Sequence, residues 1–210
     1  MKILGLGFNY RSHSQESLDI SSQEQLVASE EPIIFHKGDS ILRVGKPFYL
    51  PDWSEQIDYE AEIVVMIDRV GKYISERFAH RYYTQLSIGL DLTARDLQRQ
   101  AIALGRPWTM SKAFDNSAVV GRWINKAELS YPEHPVELRL DRDGQTVQRA
   151  LSSDMIHSID SIIAYVSQQH TLKMGDIIFT GTPAGVGTCR AGQRFEGYLN
   201  EHKLLELEIR

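Results

Sequence analysis

Cysteine is nearly absent: Cys189 is the only one in 210 residues. That excludes an intrachain disulfide framework and a thiolate metal cluster, and it fits a reducing compartment, so the expected location is cytoplasmic. Basic residues are outnumbered, with 23 Lys and Arg against 28 Asp and Glu and a net charge of -5. That balance argues against nucleic acid or an anionic membrane as the main partner. Long apolar runs are missing as well. The opening MKILGLGFNYRSH returns to polar residues after six apolar or glycine positions, too few for a signal h-region or a membrane span. Catalytic signatures are also lacking. There is no Gly-x-Ser-x-Gly elbow, the seven histidines form no His-Glu-x-x-His pattern, and Gly5-x-Gly7 lacks the third glycine and following helix of a dinucleotide loop. No repeat, linker or low-complexity tract divides a chain that is 42% hydrophobic and 24% charged. One globular domain over residues 1–210 is expected.

What is present centres on Asp58 to Arg69, DYEAEIVVMIDR. As a strand, its period of two puts Tyr59, Ala61, Ile63, Val65 and Ile67 on one face and Glu60, Glu62, Val64 and Met66 on the other. Two neighbouring carboxylates on a half-buried face repel each other, and desolvation adds to the cost. Something positive should sit between them. No Lys or Arg lies in the strand before Arg69, so the partner is either a distant basic residue or a metal ion; oxygen ligands suit a hard divalent cation such as Mg²⁺ or Mn²⁺. A solvated strand face is the plainer alternative. Tyr83 to Thr93 also alternates, with Ser87, Gly89, Asp91 and Thr93 on one side. Asp91 is thus a third acidic group, on a face whose small neighbours leave room for a ligand or ion.

The polar, serine-rich stretch from Tyr10 to Ala28 carries His13 and Glu16, which share a face if the segment is helical. A histidine beside a carboxylate is the ordinary construction of a general base; the bland reading is a surface histidine on a mobile loop. Thr93 and Asp96 match a helix-start signal, and the helix should run to Gly105. Arg95 and Gln98 would share its face near Asp91. A cation at a helix start is disfavoured by the dipole, which suggests a nearby anion, although solvent exposure explains Arg95 equally well. Trp108 to Phe114 reads as a loop carrying Lys112. The Asp143-Gly144 pair marks a hairpin, and Ile159, Ile162, Ile163 and Val166 form the apolar stripe of a helix starting at Ser158. Gly181-Thr-Pro-Ala-Gly-Val-Gly187 is a rigid loop with no lysine in phosphate-loop register. Strands dominate and helices are short and irregularly spaced, so the expected class is α+β with a mainly antiparallel or mixed sheet.

Four stretches resemble one family in order and spacing: Gly7-Phe-Asn-Tyr-Arg-Ser-His13, Asp58-Tyr-Glu-Ala-Glu62, Gly89-Leu-Asp-Leu-Thr-Ala-Arg-Asp-Leu-Gln98 and Gly181-Thr-Pro-Ala-Gly-Val-Gly187. They are similar to the fumarylacetoacetate hydrolase family, nearest its short acylpyruvate hydrolase and oxaloacetate decarboxylase branch. The resemblance implies a mainly β fold of stacked sheets and a homodimer. It further implies Glu60, Glu62 and Asp91 as ligands of Mg²⁺ or Mn²⁺, Arg95, Gln98 and Thr182 as substrate contacts, and Lys112 beside the metal. His13 and Glu16 would form a catalytic dyad on a lid over residues 10–28. The expected substrate is a small 2-oxo acid, and the expected reaction is hydrolysis of the carbon–carbon bond of 3-acylpyruvates, with His13 activating water. Oxaloacetate decarboxylation, oxaloacetate keto–enol tautomerisation and isomerisation of 2-hydroxyhepta-2,4-diene-1,7-dioate are the alternatives. A non-catalytic metal scaffold would leave His13, Glu16, Arg95 and Gln98 unexplained. Phe8, Gly38 and Ala118-Val119 depart from the family pattern, which commonly has Arg or Ser, Pro, and Cys-Pro there. Phe8 and Gly38 bear on substrate preference more than on metal binding.

Overall fold

The computed structural model describes residues 1–10 and 31–210. His13, Glu16 and most of the expected lid lie outside them. The largest unit is a seven-stranded sheet in the order β2-β1-β11-β4-β5-β7, with β8 also on β5. Its strands are β1 (Ile3–Gly7), β2 (Ile33–His36), β4 (Ala61–Met66), β5 (Gln85–Asp91), β7 (Ala118–Val120), β8 (Ile124–Asn125) and β11 (Ile177–Phe179). Only β1 and β11 run parallel, with Ile3 opposite Ile177; the other pairs are antiparallel. A second sheet orders β10 (Gln145–Leu151), β9 (Glu137–Arg142), β13 (Arg194–Leu199) and β14 (His202–Glu208). A third, small sheet joins β12 (Gly187–Thr188), β3 (Ile57–Tyr59) and β6 (Thr93–Ala94).

The alternation read from the sequence sets how these layers stack. Tyr59, Ala61, Ile63, Val65 and Ile67 fall in the main core with Leu138, Leu140, Phe195 and Leu207 of the second sheet, while Val64 turns to a smaller cluster with Ile3, Ile177 and Phe179. The close approach of the sheets needs a residue without a side chain: a Cβ on Gly197 would lie 3.0 Å from Ile88. Short helices fill the margins: α1 (Glu76–Ala79), α2 (Arg95–Ala103), α3 (Thr109–Lys112) and α4 (Ile159–Gln169). Ser158 caps α4 through its side chain, which accepts from Ser161 N–H, and the stripe Ile159, Ile162, Ile163 and Val166 is buried in the core. The Asp143-Gly144 turn has φ values of 52° and 80°, the left-handed pair that a tight hairpin needs.

Two local expectations change. Thr93 does not cap α2, whose N-cap is Ala94 without a side-chain bond. It lies in β6, and its hydroxyl donates to Glu60 Oε2 at 3.2 Å: ionic partners in the site outcompete the local cap. Trp108 to Phe114 is not a plain loop, because its middle winds into α3 and so aims Lys112 inward. Among the described residues no helix is long and apolar enough to cross a membrane.

Candidate metal centre

Strand register explains why the acidic residues meet. Glu62 on β4 lies opposite Gly89 on β5, and Ala61 opposite Leu90. The next step brings Glu60 opposite Asp91, whose N–H donates to the Glu60 carbonyl at 2.9 Å. Glu60 therefore faces Asp91 and Glu62 sits diagonally from it, all on one face. The chain leaves the large sheet for the small one at this level, between β4 and β3 and between β5 and β6, which opens space in front of the carboxylates. Each of Glu60, Glu62 and Asp91 offers an oxygen within 4.8 Å of the others, and all three residues are buried.

Distant basic residues also reach this cluster, so both partners left open by the sequence have a physical basis. Lys112 Nζ donates to Glu60 Oε2 at 2.6 Å, Asp91 Oδ2 at 2.8 Å and Thr93 Oγ1 at 2.7 Å. Burial opposes the Lys112 charge, but Asp91 and Glu60 outweigh it and raise the pKa, so the side chain stays an ammonium. Lys37, with no exposed surface, donates to Asp91 Oδ1 at 2.5 Å and the Lys112 carbonyl at 2.6 Å. Arg95 is held by Asp58 at 2.9 Å and also bonds Glu60 and Gln98.

These cations do not serve the three carboxylates equally. No ion pair among the described residues reaches Glu62; it accepts the Gly181 N–H at 2.5 Å. Burial, then repulsion by Asp91 and Glu60, push its pKa well above the usual carboxylate range. A buried group held between two anions is where a divalent cation lowers the free energy most, and the donors are all oxygen, as a hard cation requires. The three residues fit such an ion. Glu60 and Glu62 line a cavity of about 30 Å³, bordered by Arg95, Gln98 and Thr182 and walled by Phe8, Phe35 and Trp108. Two larger clefts, of about 490 and 660 Å³, border a single carboxylate each. The small cavity is the one that borders the acidic cluster.

Residues 2–210 match the family described as Fumarylacetoacetate (FAA) hydrolase C-terminal. The chain belongs to that family. Within it, the oxaloacetate tautomerase YcgM of Escherichia coli K12 is 32% identical over 204 residues, 97% of this chain and 90% of the relative. The crystal structure of fumarylpyruvate hydrolase from Pseudomonas aeruginosa in complex with Mn²⁺ and pyruvate superposes with a TM-score of 0.89 at 30% identity, covering 100% of this chain and 89% of that one. The 2-hydroxyhepta-2,4-diene-1,7-dioate isomerase of Mycobacterium marinum gives 0.82 at 30% identity, over 99% and 73% of the two chains.

Seen as a member of the fumarylacetoacetate hydrolase family, the chain has a described site that gathers seven of the nine residues singled out from sequence: Glu60, Glu62, Asp91, Arg95, Gln98, Lys112 and Thr182. It adds three supports that the sequence did not reveal. Lys37 backs Asp91, Asp58 anchors Arg95, and buried Asn9 donates to the Thr180 carbonyl at 2.7 Å, fixing the entry to the glycine loop. The signal for Asp58 was its place beside Glu60 in the acidic stretch; Lys37 and Asn9 had no periodic signal at all. Two departures from the family pattern also find their places. Phe8 is in the cavity wall, its ring edge-on to Trp108 at 6.3 Å, and Gly38 has φ of 63°, a value that proline's ring forbids.

Proposed function

We propose that this chain is a divalent-metal-dependent enzyme of small 2-oxo acids and that it interconverts the enol and keto forms of oxaloacetate. The observation that carries this reading is the buried Glu60, Glu62 and Asp91 cluster, whose two glutamates line a cavity bordered by Arg95 and Gln98. When bound there, Mg²⁺ or Mn²⁺ supplies Lewis-acid polarisation of a ketone. Arg95 and Gln98 orient the substrate carboxylate by charge-assisted hydrogen bonds. The Lys112 ammonium adds a fixed positive charge beside the position where negative charge develops on the 2-oxo oxygen. Phe8, Phe35 and Trp108 exclude water from that position. The enol sheds its hydroxyl proton to solvent as it enters and the enolate takes a proton from solvent at the adjacent carbon, so the described residues need only stabilise the enolate between the two transfers, which puts tautomerisation ahead of the bond hydrolysis expected from sequence. The oxaloacetate tautomerase relative supports the same order.

Hydrolysis of 3-acylpyruvates is the second reading, favoured by the similarity to fumarylpyruvate hydrolase. It needs an activated water as well, a task for His13 and Glu16. The test is a panel of enol and keto oxaloacetate, acetylpyruvate and fumarylpyruvate, followed by enol absorbance with Mg²⁺, with Mn²⁺ and in excess EDTA. Fastest turnover on oxaloacetate, abolished by EDTA and restored by either ion, is expected; full activity in EDTA would sink the metal-dependent reading.

Arg95→Ala should raise KM for every 2-oxo acid in that panel. Lost charge-assisted bonds of this kind are worth roughly 1.5 to 3 kcal/mol, about ten- to a hundredfold. Steady-state kinetics decides it: an unchanged KM would mean that Arg95 serves only its own pairs with Asp58 and Glu60.

A further inference from the structure

The hydrogen-bond ladder of β4 ends before the acidic site does. β11 accompanies β4 from Met66 to Val64, and Thr180 closes one step more, its N–H and hydroxyl both donating to the Ile63 carbonyl at 3.1 and 2.9 Å. The chain then turns away at Gly181, with φ of 97°. The next main-chain groups on that side are the N–H and carbonyl of Ala61, the fully buried residue between Glu60 and Glu62. A buried peptide group left without partners is strongly unfavourable.

Two side chains replace the departed strand. Gln148, from β10 of the second sheet, accepts the Ala61 N–H on its Oε1 at 2.9 Å. Thr182 donates its hydroxyl to the Ala61 carbonyl at 2.9 Å. The ring closes because Gln148 Nε2 donates to Thr182 Oγ1 at 2.9 Å, with a second bond to the Pro183 carbonyl at 3.0 Å. The single hydroxyl proton of Thr182 is spent in this ring.

We infer that Gln148 is a positioning residue of the acidic site: its amide ties the Ala61 peptide to the glycine loop, so that Glu60 and Glu62 point into one cavity while Gly181 N–H is held on Glu62. The inference rests on the reading that these carboxylates bind a divalent cation. Three features carry it. Gln148 is buried to 1% exposure, both ends of its amide are engaged, and its partners are Ala61, between Glu60 and Glu62, and Thr182, next to the Gly181 whose N–H holds Glu62. A side chain that merely stitched two sheets together would affect stability without affecting the carboxylates, and the test separates these roles.

Mn²⁺ binding to the full chain is measured by calorimetry, below the unfolding temperature of each variant, for the parent, Gln148→Met and Ile163→Val. Methionine matches the length of glutamine but makes none of its bonds. Ile163→Val weakens the core within α4, away from the site. Loss of an outer support of metal ligands commonly reduces affinity ten- to a hundredfold, so Gln148→Met should raise the Mn²⁺ dissociation constant by that factor, while Ile163→Val leaves it within about twofold of the parent. Should Gln148→Met not fold, Gln148→Asn keeps an amide that is one methylene short of Ala61 and should show the same loss. Parent-like Mn²⁺ affinity in a folded Gln148 variant overturns the positioning role alone. A parent that does not bind Mn²⁺ overturns the metal reading and this inference with it.

Discussion

Lys37→Met is expected to lower the unfolding midpoint of the metal-free protein by roughly 10 °C and to enlarge the stabilisation conferred by added Mn²⁺. Lys37 has no exposed surface and holds Asp91 at 2.5 Å. Burial, aided by the nearby Lys112 charge, outweighs the pull of Asp91 and holds its pKa below the usual lysine range. Removing one partner of a buried pair typically costs about 3 to 5 kcal/mol, because the other charge stays behind, and for a chain of this size each kcal/mol is about 2 to 4 °C. The Lys112 carbonyl loses a donor as well. The site then holds Asp58, Glu60, Glu62 and Asp91 against only Arg95 and Lys112, so a divalent cation gains more by entering it. Thermal scans with and without Mn²⁺ measure both effects. A variant as stable as the parent without metal would show that the attraction of Lys37 for Asp91 only offsets its own desolvation.

His13→Ala should separate the two proposed reactions. Cleavage of an acylpyruvate requires water to be deprotonated near the distal carbonyl, whereas the enol–keto shift of oxaloacetate draws chiefly on charge stabilisation at the 2-oxo oxygen. General-base catalysis contributes about 10² to 10⁴ in rate, so acylpyruvate cleavage should fall by that order while Mn²⁺ affinity is retained and tautomerisation falls less. Glu16→Gln should show a milder form of the pattern, since the base remains but its orientation loosens. The ratio of the two rates at saturating Mn²⁺ is the decisive quantity. An unchanged cleavage rate in His13→Ala would assign the base to another residue.

The parts of the molecule written in local periodicity were legible from the chain. The two faces of Tyr59 to Ile67, the stripe of α4 and the Asp143-Gly144 hairpin all follow from side-chain alternation or turn chemistry, and each stands where expected. The three carboxylates were legible too, because a period of two on adjacent strands puts them on one face. What decides their environment was not. Lys37 and Asp91 are far apart in sequence, and nothing local marks Lys37 out from the other lysines as a buried one, while Lys112 was placed beside the carboxylates only through the family resemblance. The change of sheets at Glu60 was hidden for a similar reason: the acidic stretch reads as one strand, and only pairing with β6 and β12 divides it. Thr93 shows the limit most plainly, since its local signal for helix capping lost to Glu60 and Lys112.

The parallel pairing of β1 with β11 has a consequence for how the protein is made. Ile3 cannot find Ile177, nor Asn9 the Thr180 carbonyl, until nearly the whole chain is available. Closing so long a loop is slow compared with forming the hairpin of β9 and β10, whose strands are neighbours in sequence. On a ribosome, β4 and β5 emerge well before β11, leaving the apolar edge of β4 open to other chains in the interval. The Gly181 N–H that holds Glu62 and the Thr182 hydroxyl on Ala61 come from the same late stretch, so the acidic site is completed only once β11 is in place.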